Sequence, residues 1–109
     1  MSRGEPRVTI ISDFTQLEIS LDSFDIDVGR YPTEREGLSA LWDVPLGTES
    51  RWHGPYIKPR VVRDPWGRPY VYHLVGEAPH DSYRLISRGP DGIEGTADDI
   101  VNFDFMRGK

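Results

Sequence analysis

Six apolar residues near the start of the chain constrain its fold more than anything else in it. Ile10, Phe14, Leu17, Leu21, Phe24 and Val28 follow one another at alternating spacings of four and three. On a helix of 3.6 residues per turn, that rhythm gathers all six on one stripe. Pro6 suits a first helical turn, where its missing N–H costs nothing, and Gly29 supplies a stop just past Val28. The spacing predicts a helix over Glu5–Val28, about 24 residues and about 36 Å long, with Asp13, Gln16, Ser20 and Asp27 on the other, solvated face. Paired carboxylates such as Asp22 with Asp25, or Asp25 with Asp27, read as part of that surface. A chain of 109 residues can bury one core and not two, so the helix is the expected spine of a single domain over 1–109.

Beyond the Arg30-Tyr31-Pro32 break, Thr33 is placed as an N-cap with Glu36 three residues on, a capping-box pattern leading into a short second helix through Gly37-Leu38-Ser39-Ala40-Leu41. From Val44 to Pro69, five prolines and three glycines alternate with Trp52, Tyr56, Ile57 and Trp66. That composition predicts an irregular but ordered loop pinned by large side chains. Tyr70–Val75 and Ser82–Ser87 are rich in β-formers and read as an antiparallel pair, with a last strand near Ile100–Phe103. The fold class is therefore α+β, a long N-terminal helix on a small antiparallel sheet.

Composition removes several functions. A net charge of −5 argues against a nucleic-acid surface, which needs clustered cations, and against polyanions or anionic membranes. With no cysteine there is no disulfide, thiolate metal site or thiol nucleophile, so any metal must be held by oxygen or imidazole. No apolar run approaches the roughly 20 residues that span a bilayer, and Met1-Ser2-Arg3-Gly4 has no signal-peptide character. His53, His73 and His80 lack metal-binding spacing, and Ser12, Ser20, Ser39 and Ser82 lack the glycine-flanked elbow of a hydrolase. No catalytic constellation emerges, and an enzyme is not expected. Trp52, Tyr56, Trp66 and Tyr70 could line a groove for a peptide or glycan, although in so short a chain they more often pin a loop to the core.

The stretch Ser87-Arg88-Gly89-Pro90-Asp91-Gly92-Ile93-Glu94-Gly95-Thr96-Ala97-Asp98-Asp99-Ile100 places three aspartates in a glycine-rich loop between two expected strands. Ca²⁺ takes six to eight oxygens, and such a loop can offer carboxylates together with carbonyls turned inward by glycine. It is not an EF-hand, since the alternating acids and flanking helices are missing. On the residues alone, a plain Asp91-Gly92 turn with a solvated Asp98-Asp99 tip is the favoured reading.

The order of several motifs adds a resemblance. Gly29-Arg30-Tyr31-Pro32-Thr33, Glu36-Gly37-Leu38 with Ala40-Leu41, Gly54-Pro55-Tyr56-Ile57, Asp64-Pro65-Trp66-Gly67 with Pro69-Tyr70, and the Ser87–Ile100 loop run in sequence over roughly Ile10 to Phe103. In these the chain resembles the soluble C-terminal domain of the type II secretion major pseudopilins, the G-type subunits, a branch of the type IV pilin-like fold. The resemblance implies a calcium ion held by the side chains of Asp91, Asp98 and Asp99, with backbone carbonyls near Arg88, Ile93 and Thr96. It further implies a structural subunit of the pseudopilus, a periplasmic filament supporting export of folded exoproteins. Its implied partners are other copies of itself, minor pseudopilins and the inner-membrane assembly platform. The chain would be the periplasmic domain of a protein anchored in the inner membrane of a diderm bacterium. The family's leader peptide and apolar half-helix are not matched here, so Met1–Glu5 reads as partly a start or cloning remnant of a truncated chain, with a natural soluble paralogue as the alternative, and anchoring would rest on a segment outside this sequence. A type IV pilin-like or minor pseudopilin subunit is the nearest alternative, and a peptide- or glycan-binding module using the Trp52–Tyr70 loop is the other.

Overall fold

A computed structural model describes residues 6–58, 63–77, 81–95 and 99–101. The helix α1 runs over Pro6–Val28. It ends where Gly29 turns to φ +96° and donates its N–H to Asp25 O at 2.8 Å, a left-handed cap that satisfies one otherwise open carbonyl. Met1–Glu5 lie outside the described residues. All six residues of the predicted stripe are buried and form half of the core cluster.

The capping box at Thr33 is realised in full. Glu36 N–H donates to Thr33 Oγ1 at 3.1 Å and Thr33 N–H donates to Glu36 Oε1 at 2.9 Å. The turn it opens does not grow into an α-helix. Gly37 adopts φ +62°, and the chain resumes as a 3₁₀ helix over Gly37–Leu41 that buries Leu38, Ala40 and Leu41. The glycine that reads as a helix interior position is the residue that interrupts it.

Among the described residues three strands follow: β1 over Val71–Val75, β2 over Ser82–Ser87 and β3 over Ile100–Val101, in the antiparallel order β1-β2-β3. Tyr70 and Phe103, at the outer limits of the expected strands, differ in kind: Tyr70 precedes β1 as a buried core residue, and Phe103 lies outside the described residues. Tyr72 pairs with Leu85 across β1 and β2, and both join the helix stripe in one cluster. Their neighbours His73 and Arg84, also paired, fall on the opposite face because side chains alternate along a strand. Phe14 meets Tyr70 at 5.2 Å between ring centroids and Phe24 meets Tyr56 edge-on at 6.0 Å. Aromatic residues of the 44–70 segment thus clamp the helix from its flank.

The polar face of α1 is less solvated than its sequence suggests. Tyr70 donates its hydroxyl to Asp13 at 2.6 Å, Tyr56 to Asp27 at 2.7 Å and Tyr31 to Asp22 at 3.0 Å. Ser20, expected on the solvated face, is buried and donates to Gln16 O and Tyr56 O. The reason is the irregular segment, which wraps beside the helix and lays Tyr56 and Tyr70 over acids that periodicity alone leaves in water. Asp25 also feels this crowding: partial burial, then Asp81 and Asp22, push its carboxyl up.

Candidate functional site

The loop leaving β2 is built from turns. Gly89, Gly92 and Gly95 all take positive φ, at +71°, +69° and +94°, and Gly92 N–H closes a turn on Gly89 O at 3.2 Å. Asp91 Oδ1 accepts from Ile93 N at 2.9 Å, the side-chain turn that an Asp-Gly pair favours. Asp99 Oδ2 accepts from Gly95 N at 2.6 Å. Its other oxygen, Oδ1, is buried with no hydrogen-bond partner among the described residues, and so is Arg88 Nε. A buried carboxylate oxygen without a donor is costly, so it marks a place where a cation or water would be stabilising. Asp98 and Thr96 lie outside the described residues, and among those described no three acidic or imidazole side chains gather as a metal cluster. Asp91 is exposed and Asp99 half-buried, so the loop has the donor chemistry Ca²⁺ takes, carboxylate and carbonyl oxygen.

Two side-chain assemblies that sequence patterning missed attach this loop to the sheet. The first is centred on Asp64. That residue is 3% exposed; Oδ1 accepts from Trp66 N and Arg68 N, each at 3.0 Å, and Oδ2 accepts from Ser87 Oγ at 3.0 Å. Ser87 Oγ in turn accepts from Gly89 N at 3.3 Å. The signal was present, since Asp followed by Pro and later Gly is the composition of a type I turn whose first side chain caps it.

The second assembly is centred on His73. Its Nδ1 lies 2.5 Å from Glu34 Oε2 and its Nε2 lies 2.7 Å from Glu94 Oε2, while Glu34 Oε1 accepts from Leu74 N at 2.8 Å. Hydrogen bonds to Glu34 and then Glu94 raise the His73 pKa, and the bond from His73 followed by that from Leu74 N lowers Glu34. His73 is thus a partnered strap between Glu34, β1 and the acidic loop. Among the other histidines, His53 is exposed and His80 lies outside the described residues.

The aromatic loop offers little to a ligand. Trp52 donates Nε1–H to Ala40 O at 2.8 Å and stacks edge-on against Tyr56, and both pack on the core with Ile57 and Trp66. A cavity of about 210 Å³ lined by Arg35, Glu36, Ser39, Ala40, Asp43, Val44 and Pro45 is small beside ligand pockets of roughly 300 Å³ and above.

A long helix laid on a three-stranded antiparallel sheet, with a glycine-rich acidic loop between the last two strands, defines the pseudopilin fold. The crystal structure of the major pseudopilin from the type 2 secretion system of enterohaemorrhagic Escherichia coli matches it with a TM-score of 0.73 and 33% identity, covering 91% of this chain and 87% of that one. The sequence matches the family Type II secretion system (T2SS), protein G over residues 6–103. It is 42% identical to the type II secretion system core protein G of Escherichia coli K12 over 91% of this chain and 68% of that protein. The core protein G of Klebsiella michiganensis is 40% identical over 89% of this chain and 68% of its own length. The chain belongs to the type II secretion system protein G family and is a structural pseudopilin subunit, not an enzyme.

Proposed function

We propose that the chain is the periplasmic part of a major pseudopilin. It polymerises with copies of itself and with minor pseudopilins on the inner-membrane assembly platform to form the filament that supports export of folded exoproteins. The observation that carries the assembly reading is a second apolar line on α1. Val8, Ile19 and Ile26 are 63%, 63% and 81% exposed. At 100° per residue they fall within about 20° of one line, roughly opposite the buried stripe. Ser12, Thr15, Asp22 and Ser23 separate the three along that side, so the line is a row of single apolar contacts that a neighbouring subunit would bury on assembly. No helix among the described residues is long and apolar enough to cross a membrane, so anchoring would rest on another segment. Trp52, Tyr56 and Trp66 are half-buried and pack against the core, which favours the loop-pinning role over a peptide- or glycan-binding module.

The acidic loop is proposed to hold Ca²⁺ through Asp91, Asp98 and Asp99, with carbonyls of Arg88, Ile93 and Thr96 completing the shell. The orphaned Asp99 Oδ1 supports this reading. Bound there, the ion would neutralise the aspartates and stabilise the fold; it has no reaction to perform. The test of the functional proposal uses the full-length protein in a type II secreting bacterium that lacks its own copy. Ile19→Lys with Ile26→Lys is expected to abolish filaments and exoprotein export while leaving stability of the isolated domain within about 0.5 kcal/mol. Normal export and filaments from the double variant would refute the role of this face. Purified wild-type protein should also retain calcium through gel filtration and lose it to a chelator.

A further inference from the structure

We propose that Asp64 and Arg68 are positioning residues for the acidic loop: the 64–68 turn is the seat on which the loop's first half is set before any cation binds. This rests on the calcium reading of the loop only for its consequence, since the seat itself is described without a metal. Asp64 spends both carboxylate oxygens inward, one on the turn it begins and the other on Ser87 at the root of the loop. Ser87, itself fully buried, passes that contact to Gly89 N. Arg68 acts from the other end of the same turn. Its Nη1–H lies 3.4 Å from Gly89 O, and its guanidinium so crowds Gly92 that a Cβ there would collide with Nε and Cζ. Gly89 and Gly92 both hold positive φ, which costs a glycine backbone more conformational freedom than any other residue to fix. The contacts from Asp64, Ser87 and Arg68 hold those two residues in that geometry, and Asp91 is carried between them.

A residue that only stabilised the fold would leave the loop unchanged in molecules that remain folded. The experiment therefore measures amide hydrogen exchange in metal-free protein under native conditions, together with calorimetric titration by calcium chloride, for wild type, Ser87→Ala, Arg68→Ala, Arg68→Lys and Asp64→Ala. Arg68→Ala, which removes one hydrogen bond, is expected to speed exchange at Gly89, Gly92 and Ile93 by roughly two- to tenfold, and Ser87→Ala, which removes two, by at least as much. Leu17, Leu21 and Phe24 in α1 should exchange as in wild type. The same variants should weaken calcium binding by a similar factor, with Arg68→Lys partly restoring both readouts. Asp64→Ala should show the largest loop effect, and if it fails to fold the Ser87 and Arg68 variants still decide. Unchanged exchange at Gly89, Gly92 and Ile93 in both would overturn the proposal. Wild-type protein that binds no calcium, with loop exchange still accelerated in the variants, would overturn the calcium reading and leave the seat standing.

Discussion

Asp99→Ala separates a cation ligand from an ordinary surface acid by the size of its effect in two buffers. Without calcium, the substitution removes the bond from Gly95 N to Oδ2, worth about 1.5–3 kcal/mol as a charge-assisted contact. It also removes the buried, unpartnered Oδ1, relieving a penalty of about 1–3 kcal/mol. The two nearly cancel, so the metal-free variant should melt within about 5 °C of wild type. With calcium at a hundred times the wild-type Kd, linkage stabilises wild type by about 2.7 kcal/mol. A variant whose affinity falls a hundredfold retains only about 0.4 kcal/mol. The difference of about 2.3 kcal/mol corresponds to roughly 10 °C in a domain of this size. Differential scanning calorimetry with chelator and with excess calcium measures both. Equal melting shifts for the variant in the two buffers, or an undiminished calcium shift, would refute the reasoning that Asp99 Oδ1 awaits a cation.

Three further outcomes follow from the packing and the electrostatics. Phe14→Ala, which empties a buried site against Tyr70, should cost about 3–5 kcal/mol in urea unfolding, whereas Ile26→Ala at an exposed position should stay within about 0.5 kcal/mol. The His73 strap should depend on pH from both sides. His73 is raised, so its stabilisation is complete below the ordinary 6.5 and fades as pH rises through the raised value; Glu34 is lowered, so its share is complete above 4.5 and fades as pH falls through the lowered value. The melting difference between wild type and His73→Asn should accordingly be greatest between those pH values and shrink at pH 9. Tyr31, pushed up to about 12 by partial burial and by its bond to Asp22, should titrate there in ultraviolet absorbance and move down in Asp22→Asn.

The sequence made the elements legible where one physical rule acted alone. Alternating spacings of four and three can bury only one side of a helix, and Ile10 to Val28 are buried as that rule requires. The Thr33 and Glu36 box and the span of β2 were legible for the same local reason. Asp13, Ser20 and Asp27 were not, because their environment is set by Tyr70 and Tyr56, which stand 57, 36 and 29 residues away along the chain. Likewise Asp64 lies in a stretch that reads only as an irregular ordered loop, and only the return of β2 brings Ser87 onto its second oxygen, 23 residues on. Periodicity states which side chains share a side; it carries no information about what arrives there from elsewhere.

That limit also explains why α1 concealed its second apolar line. Val8, Ile19 and Ile26 recur too sparsely to register against the six-residue stripe, and a period search assigns them to chance exposure. Their significance appears only once the buried stripe is fixed, because its opposite side is then known to face away from the sheet. At those exposed positions β-branched residues lower helix propensity and gain nothing from burial within the domain. Replacing them with Glu or Lys would stabilise the isolated helix. Asp13, Asp22 and Asp27 on the flanks are bonded to tyrosine hydroxyls within the domain, whereas Val8, Ile19 and Ile26 stand in solvent on the side away from the sheet, where assembly and not folding would bury them.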